Sequence, residues 1–337
     1  MRTLAGLCLT LALALSLSPA APASAAEFNF TYSCFFPPTH IQAKLADEWC
    51  KAVEERTGGR VHVDFYPGNT LTKATESYEG VVQGISDLAF SALGYTRGRF
   101  PVMSAVDLPL GYASGVSATA AAQAVFEKFQ PAEFGDTEVM YFNAHGPGQL
   151  HTKGTAVKSL EDLKGLKIRA TGNSAKVVQA LGATPIAQSM PDAYQSIQKG
   201  MVDGGMYPIE TNKGWKMAEV VDYCTEATPI AYTTTFFVVM NKAKWAALPP
   251  DIQQTIRGLN AEWAMKHAKA WDESDAEGRA FFLAQGNSFV TLAPAEMQRW
   301  EAAVAPIIDE YAAELDAKGV DGKAVIATIR EAVAKNQ

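Results

Sequence analysis

Between Pro250 and about Gln285 the chain has no proline, and its only glycines are Gly258 and Gly278. Ile252, Ile256, Leu259 and Trp263 fall on one face of a helix over this stretch. A helix that long extends about 50 Å at about 1.5 Å per residue, farther than a small domain is wide. It is therefore expected to run across two packing units. The fold must accommodate a helix over about 250–285 that touches both.

The rest of the chain alternates strand-like and helix-like segments. Phe28 to Tyr32 alternates with a period of two, and Pro37-Pro38 interrupts it. Thr39 and Gln42 have capping-box spacing, and Ile41, Leu45, Trp49 and Val53 follow at helical spacing before Gly58-Gly59. Val61 to Tyr66 reads as a strand, Thr72 to Gln83 as a helix and Ile85 to Ser91 as a strand. Strand–helix–strand order implies parallel pairing in an α/β sheet. Later strands are expected at Glu138–Phe142, Leu166–Ala170, Val202–Met206 and Thr234–Met240, with helices opening near Asn173 or Ser174 and at Pro191. The run Thr-Thr-Phe-Phe-Val-Val-Met ending at Met240 is β-rich, as a central buried strand would be.

Met1-Arg2, the uncharged run Leu4–Leu17 and the small residues Ala23-Ser24-Ala25 form the pattern of a cleaved export signal. Cleavage is expected near Ala25 and leaves about 310 residues, more than one hydrophobic core usually supports. The expected division is residues 26–146 with 235–265 in lobe I, and 147–234 with 266–337 in lobe II. The formal charge of −7 becomes −8 once Arg2 is removed. An acidic chain without basic runs argues against nucleic acid and against an anionic membrane surface. Cys34, Cys50 and Cys224 remain, too few for a disulfide framework. A Cys34–Cys50 bridge is permitted by an oxidising compartment but not required by the sequence.

The sequence contains no nucleophile elbow, metalloprotease helix, P-loop or dinucleotide fingerprint. Of five histidines only His145 and His151 are neighbours, and no cysteine accompanies them, so no metal or cofactor is expected. His62 reads as a surface residue, and His267, flanked by Lys266 and Lys269, as a solvated one. Two loops stand out. Phe35 to His40 follows the first strand, at the sheet edge where open α/β sheets bind ligands. Arg169 ends a later strand just before Thr171-Gly172 and a helix start. There a guanidinium fork suits a carboxylate and the helix amino end favours anions. Taken alone, Arg169 reads better as half of a surface ion pair than as a ligand contact.

Three segments change that balance. Ser159 to Arg169, Gly200-Met-Val-Asp-Gly204, and Val239 to Trp245 with Leu248-Pro249-Pro250 resemble solute-binding proteins of tripartite ATP-independent periplasmic (TRAP) transporters. The resemblance covers essentially the whole mature chain. It implies a two-lobed periplasmic-binding-protein fold, with strands crossing between the lobes and a long helix spanning both. It also implies a carboxylate gripped by Arg169 and handed to a sodium-driven permease. Sialic-acid-binding members carry a second arginine where Gln149 aligns, an asparagine where Tyr207 stands, and an aromatic where Met190 stands. With Phe36, Phe236 and Trp215 nearby, the expected ligand is a monocarboxylate with an apolar or aromatic body, such as an aryl, indolyl or branched 2-oxo acid. His40, His145, Tyr95 and Asn173 are further candidates at the cleft edge, whereas Asp87 and Tyr194 are expected to be structural. The rival readings are an exported enzyme acting on an organic acid and a ligand-presenting partner of a sensor.

Overall fold

A computed structural model describes residues 26–336. The export signal read at residues 1–25 lies outside the described residues. The chain begins with β1 (Phe28–Cys34), α1 (Ile41–Arg56), β2 (Val61–Tyr66), α2 (Ser77–Val82) and β3 (Leu88–Ala92). β1 pairs in parallel with both β2 and β3. The predicted strand–helix–strand rhythm is therefore realised here. After α3 (Gly115–Phe129), β4 (Thr137–Ala144) closes the first pass through this lobe.

The chain then crosses. β5 (Gly148–Thr152), β6 (Lys167–Ala170), α4 (Ser174–Ala180), β7 (Thr184–Ala187), α5 (Met190–Gln198), β8 (Gly204–Pro208), α6 (Thr211–Gly214) and β9 (Tyr223–Glu226) build a second lobe. A second crossing returns it to the first lobe as β10 (Thr235–Asn241), followed by α7 (Lys242–Ala246). β10 enters antiparallel between β3 and β4, giving the order β2-β1-β3-β10-β4. Thr235 to Met240 are all buried, because a central strand has sheet on both edges and helices on both faces.

α8 (Pro250–Ala284) has 35 residues, the length expected from the proline-free run. Its first half packs on α1 and β4 through Ile252, Ile256, Leu259 and Trp263. Trp49 Nε1–H donates to Asn260 Oδ1 at 3.1 Å and Trp263 Nε1–H to the Leu45 carbonyl at 2.7 Å, which fixes the two helices in register. Its second half reaches the other lobe, where Phe282 joins a core with Tyr207, Ile209 and Met217. His267 lies on the buried stripe and not in solvent. It stands four residues after Trp263 and four before Trp271, and its Nε2 is 3.2 Å from the Tyr141 hydroxyl.

β11 (Ser288–Thr291) completes the second sheet, in the order β11-β9-β5-β8-β6-β7. α9 (Pro294–Asp316) packs on α4, while α10 (Gly322–Lys335) packs on α3 of the first lobe. The sequence-based division had grouped that last segment with lobe II. Cys34, Cys50 and Cys224 are all free and buried, so no Cys34–Cys50 bridge forms. Burial pushes the Cys34 thiol up to about 12. Among the described residues no helix is long and apolar enough to cross a membrane. The architecture is the two-lobed α/β fold with crossing strands and one bridging helix.

Candidate functional site

The two crossings meet α8 at the boundary between the sheets, and a small cavity of about 30 Å³ lies there. The first lobe supplies Phe35 and Phe36 from the end of β1, Tyr95 after β3, Phe236 of β10 and Trp271 of α8. The second supplies Arg169 of β6, Thr171, Met190 at the start of α5, Met206, Tyr207 and Pro208 of β8, and then Glu210, Thr211 and Trp215. The crossings add His145, Tyr232 and Thr234. The apolar wall is a set of rings. Phe236 stacks on Trp271 at 5.3 Å and Phe35 on Trp215 at 6.1 Å, so the second contact spans the lobes.

Arg169 is 4 % exposed. Its Nε–H donates to the Gln188 carbonyl at 2.9 Å and its Nη1–H to the Met206 carbonyl at 3.1 Å. Those two bonds fix the plane of the guanidinium. No carboxylate among the described residues pairs with it. A buried cation without a charged partner still carries a desolvation cost of several kcal/mol, and an anion offsets that cost. Arg169 is thus a buried cation held in a fixed plane, without a carboxylate partner among the described residues.

Two glycines make room for the tyrosines of the wall. A Cβ on Gly148 would lie 2.2 Å from Tyr232 Cε1, and one on Gly205 would lie 2.6 Å from Tyr207 Cε1. Tyr207 stacks on His151 at 4.3 Å, and its hydroxyl is buried without a partner among the described residues. His145 Nδ1–H donates to the Gly146 carbonyl at 2.5 Å. Burial holds this imidazole down to about 4, with the Arg169 charge adding to the effect, so it is neutral. Tyr95 accepts from the Met190 N–H at 3.0 Å, a bond from one lobe to the other.

Eight of the eleven sequence-derived candidates meet at this cavity: Arg169, Tyr207, Met190, Phe36, Phe236, Trp215, Tyr95 and His145. Three do not. Gln149 turns away and its Oε1 accepts from the Ala227 N–H at 2.8 Å, bracing the second crossing. Asn173 Nδ2–H donates to the Ser104 carbonyl at 2.6 Å and ties the lobes together outside the cavity. His40 sits behind the wall, stacked on Phe36 at 4.6 Å. It is also the N-cap of α1, the role expected of Thr39, since its Nδ1 accepts from the Gln42 N–H at 3.2 Å. The proton is therefore on Nε2, which donates to Glu210 Oε2 at 3.1 Å. Asp87 is structural as expected, with Oδ2 accepting from the Thr31 N–H at 2.8 Å.

Sequence reasoning missed Glu210, Tyr232, Thr234 and Trp271. Continuing the stripe of α8 in steps of four from Trp263 would have reached Trp271. Nothing local marks the other three, which stand in irregular segments. Behind Glu210, Asp275 Oδ1 accepts the Glu210 N–H at 2.8 Å, and burial pushes the Asp275 carboxyl up to about 8. No cluster of three or more metal-ligating side chains occurs among the described residues.

Residues 32–315 match the family model for bacterial extracellular solute-binding proteins, family 7. A TRAP periplasmic solute-binding protein from Desulfovibrio salexigens is 34% identical, with a TM-score of 0.81 over 93% of this chain and 97% of that one. Its ligand site holds the C-terminus of a symmetry mate. A TRAP solute-binding protein from Rhodoferax ferrireducens, solved with copurified benzoate, is 29% identical, with a TM-score of 0.85 over 91% of this chain and 98% of that one. One from Bordetella bronchiseptica, with bound (R)- and (S)-mandelate, is 29% identical, with a TM-score of 0.85 over 92% and 99%. The chain belongs to the family 7 bacterial extracellular solute-binding proteins, the binding components of TRAP transporters.

Proposed function

We propose that this protein is the extracytoplasmic receptor of a TRAP transporter for a small aromatic monocarboxylate, which it delivers to a sodium-coupled permease. The observation that carries the reading is Arg169, a buried guanidinium with no carboxylate partner among the described residues, in a cavity walled by aromatic rings. An aryl body replaces water against Phe35, Phe36, Trp215 and Phe236, and its carboxylate neutralises Arg169. Glu210 lines the same cavity, so a second carboxylate on the ligand would meet a like charge. Benzoate and mandelate, bound by two structural relatives, are acids of this class. The signal-like segment at residues 1–25 supports export to the periplasm.

Ligand binding acts by lobe closure. Contacts such as Tyr95 to Met190 and Phe35 to Trp215 exist only when the lobes are together, so a ligand bridging them favours the closed state. Titration calorimetry against benzoate and its relatives tests the reading. Arg169→Ala should weaken binding by about a hundredfold, since breaking a buried pair costs about 3–5 kcal/mol. Wild-type affinity in that variant would overturn the assignment.

A further inference from the structure

The polar groups of the cavity define more of the ligand than its carboxylate. His145 is committed as a tautomer: Nδ1 carries the proton, because it donates to the Gly146 carbonyl at 2.5 Å. Nε2 is then a bare lone pair on a ring that lines the cavity and is 2 % exposed, and no hydrogen bond among the described residues uses it. It can only accept. Tyr207 lines the same wall, and its hydroxyl is buried without a partner among the described residues and can donate or accept. Glu210, also in the wall, is an acceptor already engaged by His40. Thr211 Oγ1–H donates to the Pro208 carbonyl at 2.7 Å. An unsubstituted aromatic carboxylate has only acceptors and leaves the His145 lone pair buried without a partner, at the cost of an unmet polar group.

We infer that the ligand carries a neutral hydroxyl in addition to its carboxylate, and that His145 is the specificity-determining residue that accepts its proton in a hydrogen bond. The substrate class is a hydroxylated aromatic monocarboxylic acid. Arg169 takes the carboxylate, His145 takes the hydroxyl, and Tyr207 stands as a second polar partner. Neutrality of the imidazole serves this arrangement, since an imidazolium at this position would donate from Nε2 and repel Arg169. This inference rests on the aromatic-acid reading above.

The experiment is calorimetry with matched pairs: 3-hydroxybenzoate against benzoate, and mandelate or a hydroxyphenylacetate against phenylacetate. In at least one pair the hydroxylated acid should bind about tenfold tighter or more, the factor expected when a buried acceptor is otherwise left unmet. In His145→Leu that preference should shrink to near parity. NMR of isotope-labelled histidine in the wild-type protein gives a readout independent of folding of the variant. The His145 Nε2 resonance should move from the bare-acceptor position on adding the hydroxylated acid, and stay there on adding its partner. Equal affinities across every pair, or a preference unchanged in His145→Leu, would overturn the role of His145 and leave the aromatic-acid reading intact. Binding of neither member of any pair would overturn both.

Discussion

Gly94 and Gly172 meet backbone to backbone where the two lobes close beside the cavity. A Cβ on Gly94 would lie 3.2 Å from the Gly172 nitrogen, and a Cβ on Gly172 would lie 3.1 Å from the Gly94 Cα. Their neighbours Tyr95 and Thr171 line the cavity from opposite lobes. Closure is therefore as tight here as main chains allow. Gly94→Val should prop the lobes apart. Overpacking of this kind costs about 1–3 kcal/mol, so ligand affinity should fall about tenfold or more. Small-angle scattering of the variant with saturating ligand should show less compaction than the wild type. Equal compaction and equal affinity would remove this contact from the closure mechanism.

Glu210 should set the charge limit of the ligand. Its carboxylate shares the cavity with Arg169 and is held by the Nε2–H of His40. Glu210→Gln keeps the size and removes the like charge. Affinity for an aromatic dicarboxylate should rise about tenfold relative to the monocarboxylate, as relief of a close charge repulsion implies. Competition calorimetry reads the ratio directly, and an unchanged ratio would mean that Glu210 does not select.

The two glycines of α8 should respond in opposite ways to alanine. Nothing lies within 4 Å of a Cβ on Gly258, so Gly258→Ala should stabilise by up to about 1 kcal/mol through helix propensity. A Cβ on Gly278 would lie 2.4 Å from the Ile209 carbonyl oxygen and 2.8 Å from the Glu210 Cα. Gly278→Ala should therefore destabilise by about 1–3 kcal/mol despite the same propensity gain. Denaturant unfolding of the pair checks the signs. Stabilisation by both would mean that α8 can move away from the Ile209–Glu210 backbone without cost.

Stability should have an optimum near pH 6. Burial holds His145 down to about 4 and His151 and His267 to about 3, below their unfolded value of about 6.5. The unfolded chain binds more protons there, so this contribution is present above about pH 6.5 and is lost as the pH falls. Burial raises Asp107 and Asp275 to about 8, above their unfolded value of about 3.9. Their contribution is present below about pH 4 and is lost as the pH rises through 8. From about pH 6.5 to 8.5 the aspartates dominate, and the unfolding temperature should fall. Asp107→Asn keeps an oxygen to accept the Thr235 N–H and should flatten that fall. Scanning calorimetry across pH tests both statements.

Local chemistry made part of this molecule legible in the sequence. The proline-free run gave α8, the β-rich run gave β10, and the strand ending in Arg169 gave β6, because helix stripe, strand composition and turn residues are properties of consecutive residues. Phe36, Tyr95, His145 and Arg169 are legible because they follow or end strands, where the chain order of an α/β lobe already places a ligand, whereas Tyr207 and Met190 are legible only through the family resemblance. Tertiary structure alone decided the rest. Gln149, Asn173 and His40 occupy similar local positions, but each is claimed by a hydrogen bond to a group 78, 69 or 170 residues away in sequence. His267 looks solvated beside two lysines and is buried because the helix phase places it between Trp263 and Trp271. Glu210, Tyr232 and Thr234 reach the cavity only because the chain crosses between sheets, and no local pattern encodes where a crossing ends. Arg169 belongs to both accounts. Its sequence context marked it as a carboxylate grip, while its burial without a carboxylate partner among the described residues depends on side chains gathered from both lobes.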